Sequence, residues 1–406
     1  MLTCGLLGEH LLHSFSPAIH AMLGDYSYSL FEQAPEQVET FLKNGKWDGL
    51  NVTIPYKKTV IPVLDSLGEA AAAIGSVNTI VRKPDGTLYG DNTDAYGFRK
   101  MIKHSGISVE NRKVLVLGNG GAAASVLYVL NGLGAKPVVI SRKGPDNYDN
   151  LEKHADAEGI VNTTPLGMYP NNGERAVSLS HFPKCKGVLD LIYNPARTAL
   201  LLDAESRGIP YENGLYMLVA QAKRSAELFS GQAINDTEID RIYGILSKRL
   251  MNIVLIGMPG CGKSTVAKQL GLRTGRTVLD ADEAFGKRYG MTPEEVINTK
   301  GEPEFRRMET EVLRELGKQS GIVLSTGGGA VTREENYPLL HQNGVIFLLQ
   351  RDIAALETAH RPLSQKRTPA ELYAEREPMY RRFADFTEPV TDDTADRILD
   401  RMEKEK

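Results

Sequence analysis

Nine consecutive residues, Gly257-Met258-Pro259-Gly260-Cys261-Gly262-Lys263-Ser264-Thr265, fit the pattern G-x-x-x-x-G-K-[ST]. They follow an apolar run, Asn252 to Ile256, and precede a helical pattern from Val266 to Leu270. A strand, a glycine-rich turn and a helix in that order leave few folds open. The strand belongs to a parallel sheet covered by helices, and the turn sits at the strand's carboxyl end. Glycines let backbone N–H groups turn inward around phosphate oxygens, and the helix N-terminus adds positive potential. The expected ligand is ATP, with Gly260, Cys261, Gly262, Lys263, Ser264 and Thr265 around its phosphates. Lys263 is expected to reach the β- and γ-phosphates and Ser264 to ligate Mg2+. A plain glycine-rich strand-to-helix turn is the competing reading, disfavoured because motif and context agree.

The same alternation of apolar β-branched runs and helical patterns fills most of the chain. Strands are expected at Val114 to Leu117, Val138 to Ile140, Gly187 to Ile192, Ile253 to Ile256, Ile322 to Ser325 and Val345 to Leu349. This pattern predicts parallel sheets with covering helices. At 406 residues the chain exceeds one ordinary core, and at roughly 100–200 residues per domain it predicts two to four domains. A helix from Thr237 to about Lys248 is followed at once by the apolar strand that Met251 opens, so the main boundary falls there. A formal net charge of -3 gives no electrostatic reason to expect nucleic acid or an anionic membrane as partner. Cys4, Cys185 and Cys261 are far apart and odd in number, which predicts a reducing compartment without a disulfide frame. No apolar run approaches the roughly 18 residues of a membrane span. The first residues lack the form of a signal peptide. A cytoplasmic enzyme acting on small molecules is expected.

A second glycine turn lies in the first half. Gly118-Asn119-Gly120-Gly121-Ala122-Ala123 follows the strand Val114 to Leu117 and opens a helical pattern through Leu130, giving a G-x-G-x-x-A dinucleotide turn. A plain βα turn is the alternative. The next strand ends at Ile140 and leads into Ser141-Arg142-Lys143. Basic residues there suit a 2′-phosphate, so NADP is inferred over NAD, against the alternative of a basic surface loop. Near the N-terminus, Ser16 followed by Pro17 predicts an N-cap and the first turn of a helix running to Leu23. With Ser14 nearby, that helix start also suits a carboxylate. Asn51 to Lys57 and Asp91 to Asp94 place polar groups at expected strand ends. Spacing alone favours a surface Lys57 and an Asx-turn at Asp91 over catalysis.

In the C-terminal half, Asp280 and Asp282 follow Val278-Leu279; a continuing strand would put both carboxylates on one face, while an Asp cluster capping the next helix is the alternative. Gly327-Gly328-Gly329 follows Ile322 to Ser325 and suits either close approach of a ligand or a flexible turn. These pieces, with Gly301-Glu302, Phe305-Arg306-Arg307, Arg361-Pro362-Leu363, and Arg376 with Pro378 and Tyr380, resemble shikimate kinase from about Met251 to Lys406. The resemblance implies that Arg306 and Arg376 clamp the shikimate carboxylate, with Gly328 also at the substrate. It implies that Asp282 holds the hydroxyls and acts as base toward the 3-hydroxyl, and that Asp280 contacts Mg2+ through water. Arg361, in the family's lid, would bind the transferring phosphate. The lid is shorter than the family's, and Glu357 stands where an adenine-stacking arginine is expected.

Residues 1 to about 248 resemble shikimate dehydrogenase. The resemblance rests on Ser14-Phe15-Ser16-Pro17, Asn51 to Lys57, Ser76-Val77-Asn78-Thr79, Asp91 to Asp94, the glycine turn, Asn162-Thr163-Thr164-Pro165, Tyr193 and Met217 to Gln221. It implies that Ser14, Ser16, Thr53, Asn78, Asp94, Tyr193 and Gln221 contact substrate. Lys57 would act as acid/base, supported by Asp94, while Asn162 and Thr163 join the cofactor residues. The interval from Ser141 to Asn162 is shorter than in the family, which implies a reduced strand and helix.

The two families catalyse consecutive steps. The expected architecture is α/β throughout: a substrate domain over 1–98 plus 214–248, a shortened Rossmann-like NADP domain over 99–213, and a P-loop kinase domain over 250–406. The expected function is reduction of 3-dehydroshikimate to shikimate and then its phosphorylation, by a monomer or homodimer. The alternatives are a dehydrogenase carrying a regulatory nucleotide-binding module, and an oxidoreductase using quinate or NAD.

Overall fold

The computed structural model describes residues 1–11, 14–353, 356 and 368–404. Arg361 and Glu357 lie outside the described residues. The chain divides into two units. The first comprises Met1–Leu166, Arg175–Tyr193 and Asp203–Ile245, and the second Gly167–Glu174, Asn194–Leu202 and Leu246–Lys406.

The first unit holds two sheets. One contains β1 (Thr3–Gly8), β2 (Ser27–Glu32), β3 (Gly49–Val52), β4 (Ser66–Leu67), β5 (Thr79–Arg82) and β6 (Leu88–Asp91), in the order β2-β1-β3-β5-β6-β4. The strands expected in parallel sheets lie in the other two sheets; this one is mixed, because β5 runs antiparallel to both β3 and β6. The turn from Lys83 to Thr87, closed by Lys83 N–H to Thr87 O at 2.8 Å, is too short for a crossover helix, so β6 must fold straight back on β5. In this sheet Asn51 pairs with Thr79 and Thr79 with Asp91, which sets three polar residues in a row.

The other sheet contains β7 (Lys113–Leu117), β8 (Lys136–Ile140), β9 (Gly159–Asn162), β10 (Val188–Asp190) and β11 (Tyr211–Glu212). Its order is β11-β10-β9-β7-β8, and all its pairs are parallel. The full dinucleotide fold has the order 3-2-1-4-5-6. Here the third position, beyond β8, is missing among the described residues, and only a 3-10 turn, Leu151–His154, joins β8 to β9. Strand β8 is thereby left at the edge, where Pro137 costs no ladder hydrogen bond. The helix Gly121–Gly132 buries Ala123, Val126, Val129 and Leu130 in a core shared with Val114, Val116, Phe98 and Met101, which fixes its N-terminus beside the end of β7.

The second unit is one parallel sheet of β12 (Asn252–Ile256), β13 (Val278–Asp280), β14 (Val323–Ser325), β15 (Gly344–Gln350) and β16 (Phe386–Pro389), in the order β13-β14-β12-β15-β16. Central β12 and β15 are buried along nearly their whole length, as strands covered on both faces must be. Two stretches from the range 99–213 also belong to this unit. Arg197 N–H donates to Gln342 O at 2.8 Å, Ala196 N–H to Asn343 Oδ1 at 2.8 Å, and Asn172 Nδ2 to Gln342 Oε1 at 2.8 Å.

Candidate active sites

In the first unit, Lys57 and Asp94 meet at the end of the mixed sheet. Lys57 sits in the turn after β3, and Asp94 in the first turn of the helix Thr93–Ser105. Lys57 Nζ donates to Asp94 Oδ2 at 2.7 Å, and the two side chains are only 23% and 13% exposed. Asn78 Nδ2 donates to the other oxygen, Asp94 Oδ1, at 2.8 Å. Asn78 Oδ1 accepts from Thr93 N–H at 2.7 Å, so its amide cannot turn over without losing both bonds. Thr93 Oγ1 lies 3.4 Å from Gln221 Oε1, which brings Gln221 to the same cluster. The surface reading of Lys57 is therefore corrected. So is the Asx-turn at Asp91. Asn92 caps the helix, its Oδ1 accepting from Ala95 N–H at 3.3 Å, while Asp91 Oδ1 accepts from Asn92 N–H at 2.8 Å.

The other expected substrate residues lie on neighbouring segments. The helix Ser16–His20 starts at Ser16, with Phe15 in the cap position and no side-chain cap bond there. Ser14 Oγ instead accepts from Ser16 N–H at 3.2 Å. Ser16 as N-cap, and the helix as far as Leu23, are thus corrected, because Ser14 is the residue whose hydroxyl reaches the open N–H. Phe15 packs against Tyr193 with ring centroids 5.6 Å apart. Thr53 N–H donates to Leu7 O at 2.9 Å, at the end of β1. Among the described contacts, Ser14, Ser16, Thr53 and Tyr193 make no direct bond to the Lys57–Asp94 pair.

The dinucleotide turn lies between the ends of β8 and β9. Gly118 has φ +103°, and its N–H donates to Ile140 O at 2.9 Å. Thr163 closes the other side, its N–H and Oγ1 donating to Leu117 O at 3.0 and 2.7 Å. This is where the strand order reverses, the place where such sheets take a nucleotide. Asn119 and Gly120 lead into the helix that Gly121 and Ala122 open, whose first-turn N–H groups suit a pyrophosphate. Arg142 and Lys143 are exposed past the end of β8, whereas Ser141 is buried. Asn162 is buried and occupied: its Nδ2 donates to Asp190 Oδ1 at 2.9 Å, and its Oδ1 accepts from Thr164 N–H at 3.0 Å. It orients the β9 end.

In the second unit the phosphate loop opens on a cavity of about 540 Å³, lined among others by Lys263, Asp280, Asp282, Arg306, Gly328 and Arg376. Gly260 and Gly262 adopt φ +82° and +108°, and the helix Lys263–Thr274 begins directly after them. Lys263 Nζ donates to Gly257 O and Met258 O at 2.9 and 3.0 Å, so the amine lies folded against its own loop. Ser264 Oγ donates to Asp280 Oδ2 at 3.1 Å. A hydroxyl and a carboxylate side by side fit a Mg2+ that takes its remaining ligands from water and phosphate. The idea that Asp280 and Asp282 alternate along one strand is corrected. The strand stops at Asp280, whose Oδ1 accepts from Asp282 N–H at 3.0 Å and caps the helix Ala281–Tyr289. Both carboxylates nonetheless face the cavity.

Asp282 lines the cavity and is exposed to solvent there. Desolvation by the walls, and then the like charges of Asp280 and Glu309, push its pKa up to about 6. Cleft water moderates that effect, and a substrate that fills the cleft removes this moderation. Arg306 is buried between Glu309 and Glu302, with Nη1 to Glu309 Oε2 at 2.7 Å and Nη2 to Glu302 Oε1 at 3.1 Å. Arg376 Nη1 donates to Gly328 O at 3.2 Å, as does the Tyr380 hydroxyl, and Arg376 Nε is buried without a hydrogen-bond partner among the described residues. The triple glycine is a close-approach device rather than a flexible turn. A Cβ at Gly329 would stand 2.0 Å from Arg306 Nη2, and one at Gly327 2.5 Å from Glu309 Oε1.

Comparison with known proteins fits both geometries. The shikimate dehydrogenase substrate binding domain matches residues 6–80, and shikimate kinase matches residues 259–405. The NADP(+) shikimate dehydrogenase of Clostridium perfringens is 38% identical over 267 residues, covering 60% of this chain and 98% of that one. The chain belongs to the shikimate dehydrogenase family. It also carries a shikimate kinase domain, so two enzymes of one pathway share a polypeptide. A chorismate mutase/shikimate 5-dehydrogenase fusion protein from Clostridium acetobutylicum superimposes on the dehydrogenase with a TM-score of 0.58 and 38% identity, covering 61% of this chain and 97% of that one. The shikimate 5-dehydrogenase of Thermus thermophilus, solved with NADP(H) and shikimate, does so with a TM-score of 0.54 and 29% identity, covering 60% and 98%.

Two groups at these sites escaped the sequence. Glu309, which holds Arg306, sits three residues along the same helix, a spacing that could have flagged it. The Thr79 and Thr93 hydroxyls beside Asn78 carried no such signal, since they converge only through the sheet and the helix that follows it.

Proposed function

We propose that the dehydrogenase reduces 3-dehydroshikimate to shikimate with NADPH, and that the kinase converts shikimate to shikimate 3-phosphate with Mg-ATP. The observation that carries this reading is the pairing of two family matches with two fitting sets of side chains: Lys57–Asp94 in one unit and the Asp282–Arg306–Arg376 cavity in the other. Bound NADPH would supply the hydride, and bound Mg-ATP the phosphoryl group. In the first site Lys57 delivers a proton to the developing alkoxide, and Asp94 keeps that ammonium aimed. Ser14, Ser16, Thr53, Tyr193 and Gln221 orient the substrate. Arg142 and Lys143 select the 2′-phosphate of NADP over the bare ribose of NAD.

In the second site Arg306 and Arg376 offer guanidinium groups to the substrate carboxylate, a planar fork matched to a planar acceptor. Asp282 takes the proton of the attacking hydroxyl, while Lys263 and the loop amides hold phosphate charge, with Ser264 and Asp280 toward Mg2+. Purified protein mixed with 3-dehydroshikimate, NADPH and Mg-ATP should form shikimate 3-phosphate, identified by mass, and none when either cofactor is omitted. Shikimate alone as product would keep the dehydrogenase and assign the second unit a regulatory nucleotide-binding role.

A further inference from the structure

We infer that Ser225 is a positioning residue of the dehydrogenase: its buried hydroxyl locks the groups that hold Asn78, and through Asn78 it aims Asp94 at Lys57. The inference rests on reading Lys57 and Asp94 as the acid/base pair. Ser225 lies mid-way along the helix Leu215–Ser230 and is fully buried. Its Oγ stands 2.8 Å from Asn51 Nδ2, 2.8 Å from Thr79 Oγ1 and 3.0 Å from Thr93 Oγ1, and donates to Gln221 O at 3.0 Å. One hydroxyl thus joins β3, β5, the helix that carries Asp94 and the helix that carries Gln221.

Counting donors shows why this matters. Asn51 Oδ1 accepts from the Tyr28 hydroxyl at 2.8 Å, which fixes its amide so that Nδ2 points at Ser225. Ser225 accepts that bond and spends its own proton on Gln221 O. The hydroxyls of Thr79 and Thr93, 3.2 Å apart, then both have Asn78 Oδ1 within 3.2 Å. Asn78 is left with Nδ2 facing Asp94. An alanine at 225 takes the acceptor from Asn51 Nδ2 and a partner from both threonine hydroxyls, which themselves reach Asn78 Oδ1 and, at Thr93, Asn78 Nδ2, so the seat of the amide that sets the carboxylate shifts. Buried networks of this kind act as units, so a defect at one member is felt at the far end. A serine in a helix interior has only a modest local cost or benefit, whereas three of its four contacts lie on three other elements.

The test is a double-mutant cycle in the full chain, following reduction with NADPH. Ser225→Ala should lower kcat roughly ten- to a hundredfold, the scale of a small misplacement at a reacting group, with KM for NADPH unchanged. On an Asp94→Asn background, measured by single turnover at high enzyme concentration, the same change should have little further effect, because the group it aims is gone. An unchanged kcat in Ser225→Ala overturns the inference. So does an equal loss with and without Asp94, which would mark Ser225 as structural only. If Ser225→Ala does not fold, the near-isosteric Thr79→Val replaces it in the cycle and is judged by the same two outcomes. A Lys57→Ala chain that reduces at full rate overturns the acid/base reading beneath the inference, whatever Ser225 does.

Discussion

At the dehydrogenase site the two candidate proton-transfer groups are already joined, Lys57 to Asp94 at 2.7 Å, and the Asn78 amide beside them is fixed by bonds to protein. At the kinase site Asp280, Asp282 and Glu309 crowd one another, Lys263 is folded onto its own loop, and the donor Nε of Arg376 has no described partner. The first site offsets its charges within the protein. The second crowds like charges and leaves a donor without a described partner, and substrate, nucleotide and metal can supply the missing partners. The difference follows from the chemistry. A protonation step needs one donor held in one place. Phosphoryl transfer brings several negative charges and a cation into the site, so part of the balance must arrive with the ligands.

The strongest way to break this comparison is to remove one charge from each site. Lys57→Ala should lower reductase kcat by about 10²–10⁴ and leave phosphorylation untouched, whereas Lys263→Ala should do the reverse. Separate assays of the two half-reactions in each variant check this, and loss of both activities from one substitution would refute the separation. Next in size is Glu309→Ala. It leaves the buried Arg306 without its closest counter-charge, at a cost of about 3–5 kcal/mol to the kinase unit. Thermal unfolding should show that loss, together with a raised KM for shikimate. Arg142→Ala sharpens the cofactor side: KM for NADPH should rise roughly ten- to a hundredfold, the worth of a hydrogen bond to a charged group, while KM for NADH stays put.

The smallest effect concerns Asp282. Its carboxyl must be ionised to accept a proton, so kcat/KM for phosphorylation should rise with pH through about 6 and then level. Its folded pKa lies above the unfolded value, so its contribution to stability is greatest below the unfolded pKa and is lost as pH rises toward 6. Asp282→Asn should therefore raise the Tm of the ligand-free protein's kinase unit at pH 8 more than at pH 4. An equal shift at both pH values would argue against the crowded carboxylate.

Both nucleotide turns were legible without coordinates because each is local. A strand, a run of glycines and a helix lie within about twenty residues, and hydrophobic period plus glycine spacing encode all three. The missing strand of the dinucleotide sheet was legible as a deficit of length between Ser141 and Asn162, although only the 3-10 turn Leu151–His154 shows what replaced it. The Lys57–Asp94 pair was not legible from spacing. No periodicity relates positions 57 and 94; they meet because the short turn after β5 makes β6 antiparallel, setting Asn51, Thr79 and Asp91 abreast. Family likeness supplied that pair before geometry did.

What the sequence determined by itself is therefore the class of fold, the two phosphate-binding turns and the order of the two enzymes, all properties of short contiguous patterns. Tertiary structure decided which side chains share a proton, which carboxylate is crowded by its neighbours, and which glycines make room for Arg306 and Glu309. It also decided that Gly167–Glu174 and Asn194–Leu202 belong with the second unit. Those facts depend on strand register and on helices that approach from distant parts of the chain. Hydrogen bonds and desolvation act across a few ångströms of space, and separation along the sequence does not record such distances.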